Sequence, residues 1–206
     1  MITGTVRLKG GWCFFIDKVT DREIVRQISL GNKEAFRELF HRYGDKVYRT
    51  CCGLLNNEHD AEDITQDVFV RLYEKAGSYR GDASVSTWIY RITLNRSFNF
   101  LRRKKFLVLF TDGEEGGPDV PATETDNDTG AFCAEDRKHL RKALKSLPRR
   151  QRTAFTLFYY VKLSRKEIAE VMNTSLKSVE SLLHRARENL RNKLQIHFHE
   201  RASHTR

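Results

Sequence analysis

The sequence has few cysteines and no long apolar run, and both absences limit the kind of protein it encodes. Its four cysteines are Cys13, Cys51, Cys52 and Cys133. None of them forms a Cys-x-x-Cys pair, and the adjacent Cys51 and Cys52 suit neither an ordinary disulfide nor a zinc site. No apolar stretch approaches the roughly 20 residues that a membrane-spanning helix needs. We therefore expect reduced thiols, no metal site and a cytoplasmic location.

Signatures of catalysis and of export are missing as well. The sequence contains no G-x-x-x-x-G-K-[ST] phosphate loop, no G-x-S-x-G nucleophile turn and no H-E-x-x-H zinc motif. The apolar patch at residues 12–16 is too short for a signal segment, and no small-residue cleavage site follows it. The His197-Phe198-His199 pattern resembles a metal-binding tract only weakly, and a solvated chain end explains it better. The sequence predicts no enzymatic activity, no catalytic residue and no cofactor.

Charge is distributed unevenly along the 206 residues, whose formal net charge is +10. Residues 1–110 carry 19 basic and 13 acidic side chains, residues 111–139 carry 2 and 9, and residues 140–206 carry 16 and 5. Two basic blocks on either side of an acidic block indicate two modules that face nucleic acid, joined by a tether. Solvated charge on an ordinary surface is the alternative, and the segregation of the two signs argues against it.

Apolar residues recur at helical spacing in the first basic block. Thr20 and Glu23 predict a capping box at the start of the first helix, and Gly31 is expected to end it. The second helix carries a single apolar stripe at spacings of three and four, which predicts a surface facing the core. The stripe consists of Phe36, Leu39, Phe40, Tyr43, Val47, Tyr48 and Cys51.

The third predicted helix, from about residue 60 to residue 76, is mostly acidic on its outer face although the protein as a whole is basic. Its outward residues include Asp63, Gln66, Asp67 and Arg71. No histidine or cysteine stands at helical spacing beside the two aspartates, so a metal site is not predicted there. The acidic face indicates a surface that docks on another protein, and ordinary solvation is the alternative.

A long fourth helix, from about residue 84 to residue 105, combines charge, amide and aromatic groups on one stripe that we predict to be exposed. The stripe consists of Arg91, Asn95, Phe98 and Arg102. The aromatic residues Tyr79, Trp88 and Tyr90 lie close by in the sequence. Because cations follow phosphates while aromatic rings stack on unpaired bases, the combination predicts a surface that binds single-stranded nucleic acid. Simple pairing of the basic helix end with the helix dipole is the alternative.

Residues 164–187 predict a helix-turn-helix. Ser164 and Glu167 form a capping-box pattern, and residues 173–175 separate the two helices. Leu176, Val179, Leu182, Leu183 and Ala186 are expected to face inward. The remaining side chains could enter a DNA major groove. They are Lys177, Ser178, Glu180, Ser181, His184, Arg185 and Arg187. A plain helical hairpin within a bundle is the alternative.

Together these elements predict an all-α protein with two small helical domains joined by a flexible acidic linker, the C-terminal domain being a helix-turn-helix. We expect an arm without stable structure at residues 1–19, and a tail at residues 199–206. The first domain is predicted at residues 20–106, the linker at 107–134 and the second domain at 135–198. Glycine, proline and acidic residues in the linker bury too little apolar surface to fold.

Three stretches of the chain resemble the extracytoplasmic-function sigma factors, the small initiation factors of bacterial RNA polymerase. The first contains AFRELFHRYGDKVYR and, at residues 61–73, AEDITQDVFVRLY. The second is SYRGDASVSTWIYRITLNRSFNFLRR at residues 78–103, and the third is SLPRRQRTAFTLFYYVKLSRKEIAEVMNTSLKSVESLLHRAR at residues 146–187. Each match alone is weak, whereas all of them in this order are specific. The resemblance covers roughly residues 21–103 and 135–195.

The resemblance implies roles for the first domain, which is similar to sigma region 2. It implies that Asp63, Gln66, Asp67 and Arg71 dock on the clamp helices of the largest polymerase subunit. It also implies that residues 79–84 and Asn95 capture a flipped base of the −10 element while neighbouring side chains support the melted strand. The residues expected at the −10 DNA are Tyr79, Arg80, Trp88, Arg91, Asn95, Arg96 and Arg102.

For the second domain, which is similar to sigma region 4, the resemblance implies recognition of the −35 element and packing of the preceding helices on the flap of the second-largest subunit. It also implies that the acidic linker lies in the polymerase cleft and that an anti-sigma factor is a further partner. Glu180 and Leu182 replace residues that are basic in many relatives, which puts the −35 consensus in doubt. A stand-alone helix-turn-helix regulator is the alternative function.

Overall fold

The computed structural model describes the backbone of residues 19–110 and 134–204, and the side chains of residues 19–106 and 139–195. Most of the predicted arm and linker therefore lies outside the described residues, together with Cys13 and Cys133. The described residues form eight α-helices and one short 3-10 turn, and they contain no strand. The prediction of an all-α fold is confirmed. No described helix combines the length and the apolar character that crossing a membrane requires.

The helices fall into two groups along the chain, which we call the N-terminal lobe and the C-terminal lobe. The N-terminal lobe consists of α1 (Asp21–Ser29), α2 (Lys33–Leu55), α3 (Glu58–Lys75), the 3-10 turn (Ala76–Ser78) and α4 (Val85–Phe110). The C-terminal lobe consists of α5 (Ala134–Lys145), α6 (Arg149–Tyr159), α7 (Arg165–Val171) and α8 (Leu176–His204). Helices α4 and α8 extend five and eight residues past their predicted ends near residues 105 and 196.

Asparagine residues set three of the helix boundaries within the N-terminal lobe. The side chain of Asn32 accepts hydrogen bonds from the backbone of Glu34 and Ala35 and caps α2. Asn56 ends the same helix in the left-handed conformation, and the side chain of Asn57 then caps α3. Two adjacent asparagines thus end one helix and start the next, which aligns α2 and α3 as antiparallel neighbours.

The predicted capping box at Thr20 is only half formed. The Thr20 hydroxyl accepts a hydrogen bond from the backbone N–H of Glu23 at 3.3 Å. The Glu23 carboxylate does not reach back, because it accepts hydrogen bonds from Arg26 and from Gln27. These two donors lower the pKa of Glu23 to about 2, with Arg26 as the larger cause. The carboxylate therefore stays ionised at neutral pH and ties down the first two turns of α1.

The apolar stripes of the helices pack together in the core of the N-terminal lobe. Leu39, Val47 and Cys51 of α2 pack with the inner residues of α1, α3 and the start of α4, and each is at most 1% exposed. The predicted stripe on α2 is therefore correct for most of its length. Phe40 is the exception, since half of its side chain is exposed. It lies at the edge of the stripe and contacts the ring of Phe69 at a centroid distance of 4.7 Å.

We expect Leu39→Ala to lower the free energy of unfolding by about 2–5 kcal/mol, because it removes a fully buried side chain and leaves a cavity. Leu30→Ala is the matched control, since Leu30 is 69% exposed and its truncation should change stability by less than about 0.5 kcal/mol. Urea unfolding followed by circular dichroism measures both changes. Equal effects of the two substitutions would contradict the placement of Leu39 in the core.

Candidate nucleic-acid interface

The loop between the 3-10 turn and α4 is held in a defined shape by two contacts. The hydroxyl of Tyr79 donates to the carbonyl of Ala83 at 2.6 Å and closes the loop on itself. The guanidinium of Arg22, on α1, donates to the carbonyl of Gly81 at 3.0 Å. Gly81 has a φ of +81°, and a Cβ there would lie 2.6 Å from the Arg22 side chain. The backbone conformation therefore favours glycine at this position, and a Cβ there would displace the end of the Arg22 side chain.

Arg22 is a positioning residue that the sequence analysis missed. It stands 59 positions before the carbonyl that it holds, and no local pattern connects an exposed arginine on α1 with a distant loop. Only the packing of α1 beside the 3-10 turn brings the two together.

The same loop borders an open cleft of about 570 Å³. The ring of Tyr79 packs on that of Trp88 with a centroid distance of 5.1 Å, which fixes both aromatic rings at the start of α4. Arg22 and Arg91 supply positive charge to the lining of the cleft, whereas Asp21, Asp82 and Glu170 supply negative charge. The structure thus places the predicted loop, the ring of Tyr79 and a cation around one cleft.

The predicted stripe on α4 is exposed only in part. Asn95 and Arg102 are exposed, and Arg80 is exposed in the preceding loop. Phe98, which was expected on the exposed stripe, is partly buried beneath the guanidinium of Arg149, whose carbon lies 3.5 Å from the ring centroid. Tyr90, which was expected among the stacking aromatic residues, is 1% exposed. Both expectations are wrong for the same reason: helices of the C-terminal lobe cover these two rings.

The acidic face of α3 is exposed as predicted. Asp63, Gln66, Asp67 and Arg71 all lie on the surface. Arg71 pairs with Glu74 one turn further along the helix at 2.8 Å. Asp67 pairs with Arg96 of α4 at 2.8 Å. A residue expected at polymerase and a residue expected at DNA therefore contact each other, so the two candidate surfaces are adjacent.

Exposed apolar side chains flank this acidic face. Val70 is 58% exposed and Tyr73 is 46% exposed, both on α3. The Tyr73 ring meets that of Phe36 edge-on at 5.5 Å. The sequence analysis did not single out Val70 or Tyr73, because apolar residues within a helical pattern are assigned to the core by default.

The helix-turn-helix forms as predicted. Ser164 accepts a hydrogen bond from the backbone of Glu167, whose carboxylate in turn accepts one from the backbone of Ser164 at 2.8 Å. Ser175 caps α8 by accepting a hydrogen bond from the backbone of Ser178. Ile168 of α7 packs against Val179 and Leu183 of α8. Asn173 adopts a φ of 48° in the turn between α7 and α8.

The outer face of α8 presents the polar residues that the sequence analysis assigned to DNA. Lys177, Glu180, Ser181, His184, Arg185 and Arg187 are exposed, and Ser178 is partly buried. The imidazole of His184 lies 3.5 Å from the carboxylate of Glu188. Leu176 was expected to face inward and is 41% exposed. It is the first residue of α8.

The thiols and the acidic groups form no metal-binding cluster within the described residues. No group of three or more His, Cys, Asp or Glu side chains in this part of the chain could hold a metal ion. Cys51 and Cys52 are free thiols, and burial raises the pKa of Cys52 to about 11. A thiol of this kind stays protonated at neutral pH and is a poor nucleophile.

Comparison with known sequences matches both lobes. The family model of sigma-70 region 2 matches residues 39–106, and that of sigma-70 region 4 matches residues 137–190. The ECF RNA polymerase sigma factor SigW of Bacillus subtilis is 32% identical over 177 residues, which cover 83% of this chain and 95% of that protein. The ECF RNA polymerase sigma-E factor of Escherichia coli K12 is 31% identical over 185 residues, which cover 87% and 96% of the two chains.

Solved structures agree with the sequence comparison. CnrH, in complex with the cytosolic domain of CnrY, superposes with a TM-score of 0.63 at 25% identity and covers 85% of this chain and 97% of its own. The sigma factor RpoE of Bartonella quintana, in complex with the anti-sigma factor NepR, has a TM-score of 0.65 at 22% identity. The match covers 78% of this chain and 97% of that protein, and it shows the likeness in fold.

The ion pair between Asp67 and Arg96 should contribute only about 0.2–1 kcal/mol to stability, because the side chains are 53% and 33% exposed and water screens them. A double-mutant cycle with Asp67→Ala and Arg96→Ala, followed by urea unfolding, measures this coupling. The Glu34–Arg37 pair, with both side chains about three-quarters exposed, is the control and should give a smaller coupling. A coupling above about 2 kcal/mol for Asp67 and Arg96 would show that the pair is desolvated, contrary to the observed exposure.

Proposed function

This chain belongs to the extracytoplasmic-function sigma factors of bacterial RNA polymerase, and we propose how its surfaces divide the recognition of a promoter. It is an RNA polymerase sigma factor that acts in transcription initiation and binds core polymerase and promoter DNA. Members of this family are initiation factors rather than enzymes. We assign polymerase docking and −10 recognition to residues 20–106, and −35 recognition to residues 135–198. Residues 107–134 serve as the acidic linker between them.

The cleft beside residues 79–84 is the observation that carries the proposal. It combines a loop fixed by Arg22, the ring of Tyr79, which packs on Trp88, and the cation of Arg91. We propose that a base of the melted −10 strand enters this cleft while Asn95, Arg96 and Arg102 on α4, with Arg80, contact the strand. Unstacking a base costs a few kcal/mol, and capture in a preformed cleft offsets that cost.

The acidic face on α3 is the proposed contact with core polymerase. Asp63, Gln66, Asp67 and Arg71 would dock on the clamp helices of the largest subunit, and the helices before the helix-turn-helix would pack on the flap. The net charge of +10 supports an arrangement in which the few acidic surfaces bind protein and the basic surfaces bind DNA.

The outer face of α8 is the proposed reader of the −35 element. Arg185 and Arg187 supply cations to phosphates or to guanine, and Ser178, Ser181, Lys177 and His184 supply further polar groups. Glu180 is exposed among them and could accept a hydrogen bond from a cytosine amine. This position is basic in many relatives. The acidic residue here is the feature by which the −35 preference of this protein would differ from theirs.

An anti-sigma factor is the proposed regulatory partner. In each of the two solved structures compared above, the protein that resembles this chain is bound to a second protein. The second protein is the cytosolic domain of CnrY in one structure and the anti-sigma factor NepR in the other. Because core polymerase operates in the cytoplasm of bacteria, we assign this protein to the same compartment.

We expect Asn95→Ala to leave binding to core polymerase unchanged but to reduce promoter opening at least about tenfold, since it removes an exposed amide from the −10 surface. Permanganate reactivity of −10 thymines in the holoenzyme measures opening, and co-elution with core polymerase measures binding. Asn192→Ala, which removes an exposed amide from α8 outside the proposed −10 and −35 surfaces, is the control. Full thymine reactivity in the Asn95 variant would exclude this residue from the −10 surface.

Arg185→Ala should weaken binding to a duplex carrying the −35 element by about 1–3 kcal/mol if the guanidinium contacts a base, and by less if it contacts only a phosphate. Fluorescence anisotropy at fixed salt measures the affinity. Arg191→Ala removes an exposed cation two turns further along α8 and should have the smaller effect. An affinity of the Arg185 variant equal to that of the unchanged chain would remove Arg185 from the −35 reader.

A further inference from the structure

The middle of the loop between the 3-10 turn and α4 is held from outside by one side chain. The hydroxyl of Tyr79 closes the loop across its base by donating to the carbonyl of Ala83. Within the part of the chain that the structure describes, residues 80–82 have a single hydrogen bond to another helix. The guanidinium of Arg22 donates this bond to the carbonyl of Gly81 at 3.0 Å. The position of that carbonyl therefore depends on α1.

Helix α1 is a firm support for this contact. Its first residue, Asp21, accepts hydrogen bonds from Arg42 at 2.8 Å and from the hydroxyl of Tyr43, both on α2. The inner face of α1 is buried in the core of the N-terminal lobe, with no more than 3% exposure for Ile24, Val25 and Ile28. Because Arg22 directly follows the anchored Asp21, its side chain starts from a fixed point.

The backbone at Gly81 makes the loop dependent on this support. Gly81 has a φ of +81°, and glycine has more backbone conformations open to it than other residues have. A hydrogen bond to its carbonyl selects one of these conformations. Gly81, Asp82 and Ala83 line the cleft together with Arg22. The hydrogen bond from α1 therefore sets the shape of one wall of the cleft.

We propose that Arg22 is a positioning residue that determines how strictly the cleft selects among the bases of the −10 strand. The proposal rests on the function proposed above for the cleft. Arg22 acts through the loop, because it holds the Gly81 carbonyl, and with it the wall formed by residues 81–83, against the incoming base. Selection between bases requires a wall that does not yield, since a wall that moves adapts to a wrong base as readily as to the right one.

The contact can be removed without disturbing the core. Arg22 is exposed, and substitutions at exposed positions change stability little. Arg22→Met removes the donor and the charge while it keeps an unbranched stem and a similar helix propensity. Arg26→Met is the matched control, because Arg26 is also exposed on α1 but pairs at 2.7 Å with Glu23 of the same helix.

Base selection is measured with holoenzymes assembled from core polymerase and each variant. The probes are four labelled single strands of about 12 nucleotides, which carry a −10 sequence and differ only at the position where the unchanged chain is most selective. Fluorescence anisotropy gives the affinity for each strand. We expect Arg22→Met to lower the ratio of the affinities for the best and the worst base at least about fivefold, because a small displacement of a positioning group has a large effect.

Two further variants make this result specific. Arg26→Met should leave the ratio unchanged. Arg22→Lys keeps a donor that can reach the Gly81 carbonyl, so its ratio should stay within about twofold of that of the unchanged chain. A ratio in Arg22→Met equal to that of the unchanged chain would overturn the proposal, as would an equal loss in Arg22→Met and Arg26→Met.

The salt dependence of strand binding separates a positioning residue from a phosphate contact. A side chain that binds a phosphate of a single strand contributes about 0.7 to the slope of log affinity against log salt concentration. Since Arg22 acts through Gly81, we expect Arg22→Met to leave this slope unchanged while the ratio falls. A smaller slope with equal weakening of all four strands would identify Arg22 as a phosphate ligand and would also overturn the proposal.

A failure of the proposed function has a different signature. The holoenzyme of the unchanged chain would then bind the four strands equally at every −10 position, and the role of Arg22 would fall with the function of the cleft. Failure of the Arg22 proposal alone leaves the unchanged holoenzyme selective. Co-elution with core polymerase, which Arg22→Met should preserve, shows that a lost ratio arises at the DNA strand and not at polymerase.

Discussion

Burial of α4 on two sides is the constraint on which the arrangement of the molecule depends. Val85 and Ile89 pack into the core of the N-terminal lobe, whereas Tyr90 and Leu94 pack against the C-terminal lobe. A helix buried on two sides leaves only a narrow face for solvent, and that face carries Asn95 and Arg102. The position of the proposed −10 surface thus follows from where the two cores leave α4 uncovered.

Local sequence patterns predict local structure well in this chain. Helical spacing and capping residues such as Ser164 fix the helices, because these signals act within a few residues. The exposure of the polar face of α3 was predicted correctly for the same reason. Phe98 and Tyr90 were misplaced because periodicity shows that a residue is apolar or aromatic but does not show which distant helix covers it. Arg22 was missed because its partner is brought near only by the tertiary fold.

The charge pattern connects the fold with the function through contacts between neighbouring helices. Asp67 pairs with Arg96 across the boundary between α3 and α4, so one arginine of the proposed −10 surface is oriented by an acid of the proposed polymerase surface. A half-exposed ion pair contributes little to stability, but it restricts the side chains that form it. Binding of polymerase to α3 and binding of DNA to α4 would therefore involve the two members of one ion pair. Each partner would meet a side chain that the ion pair already holds partly in place.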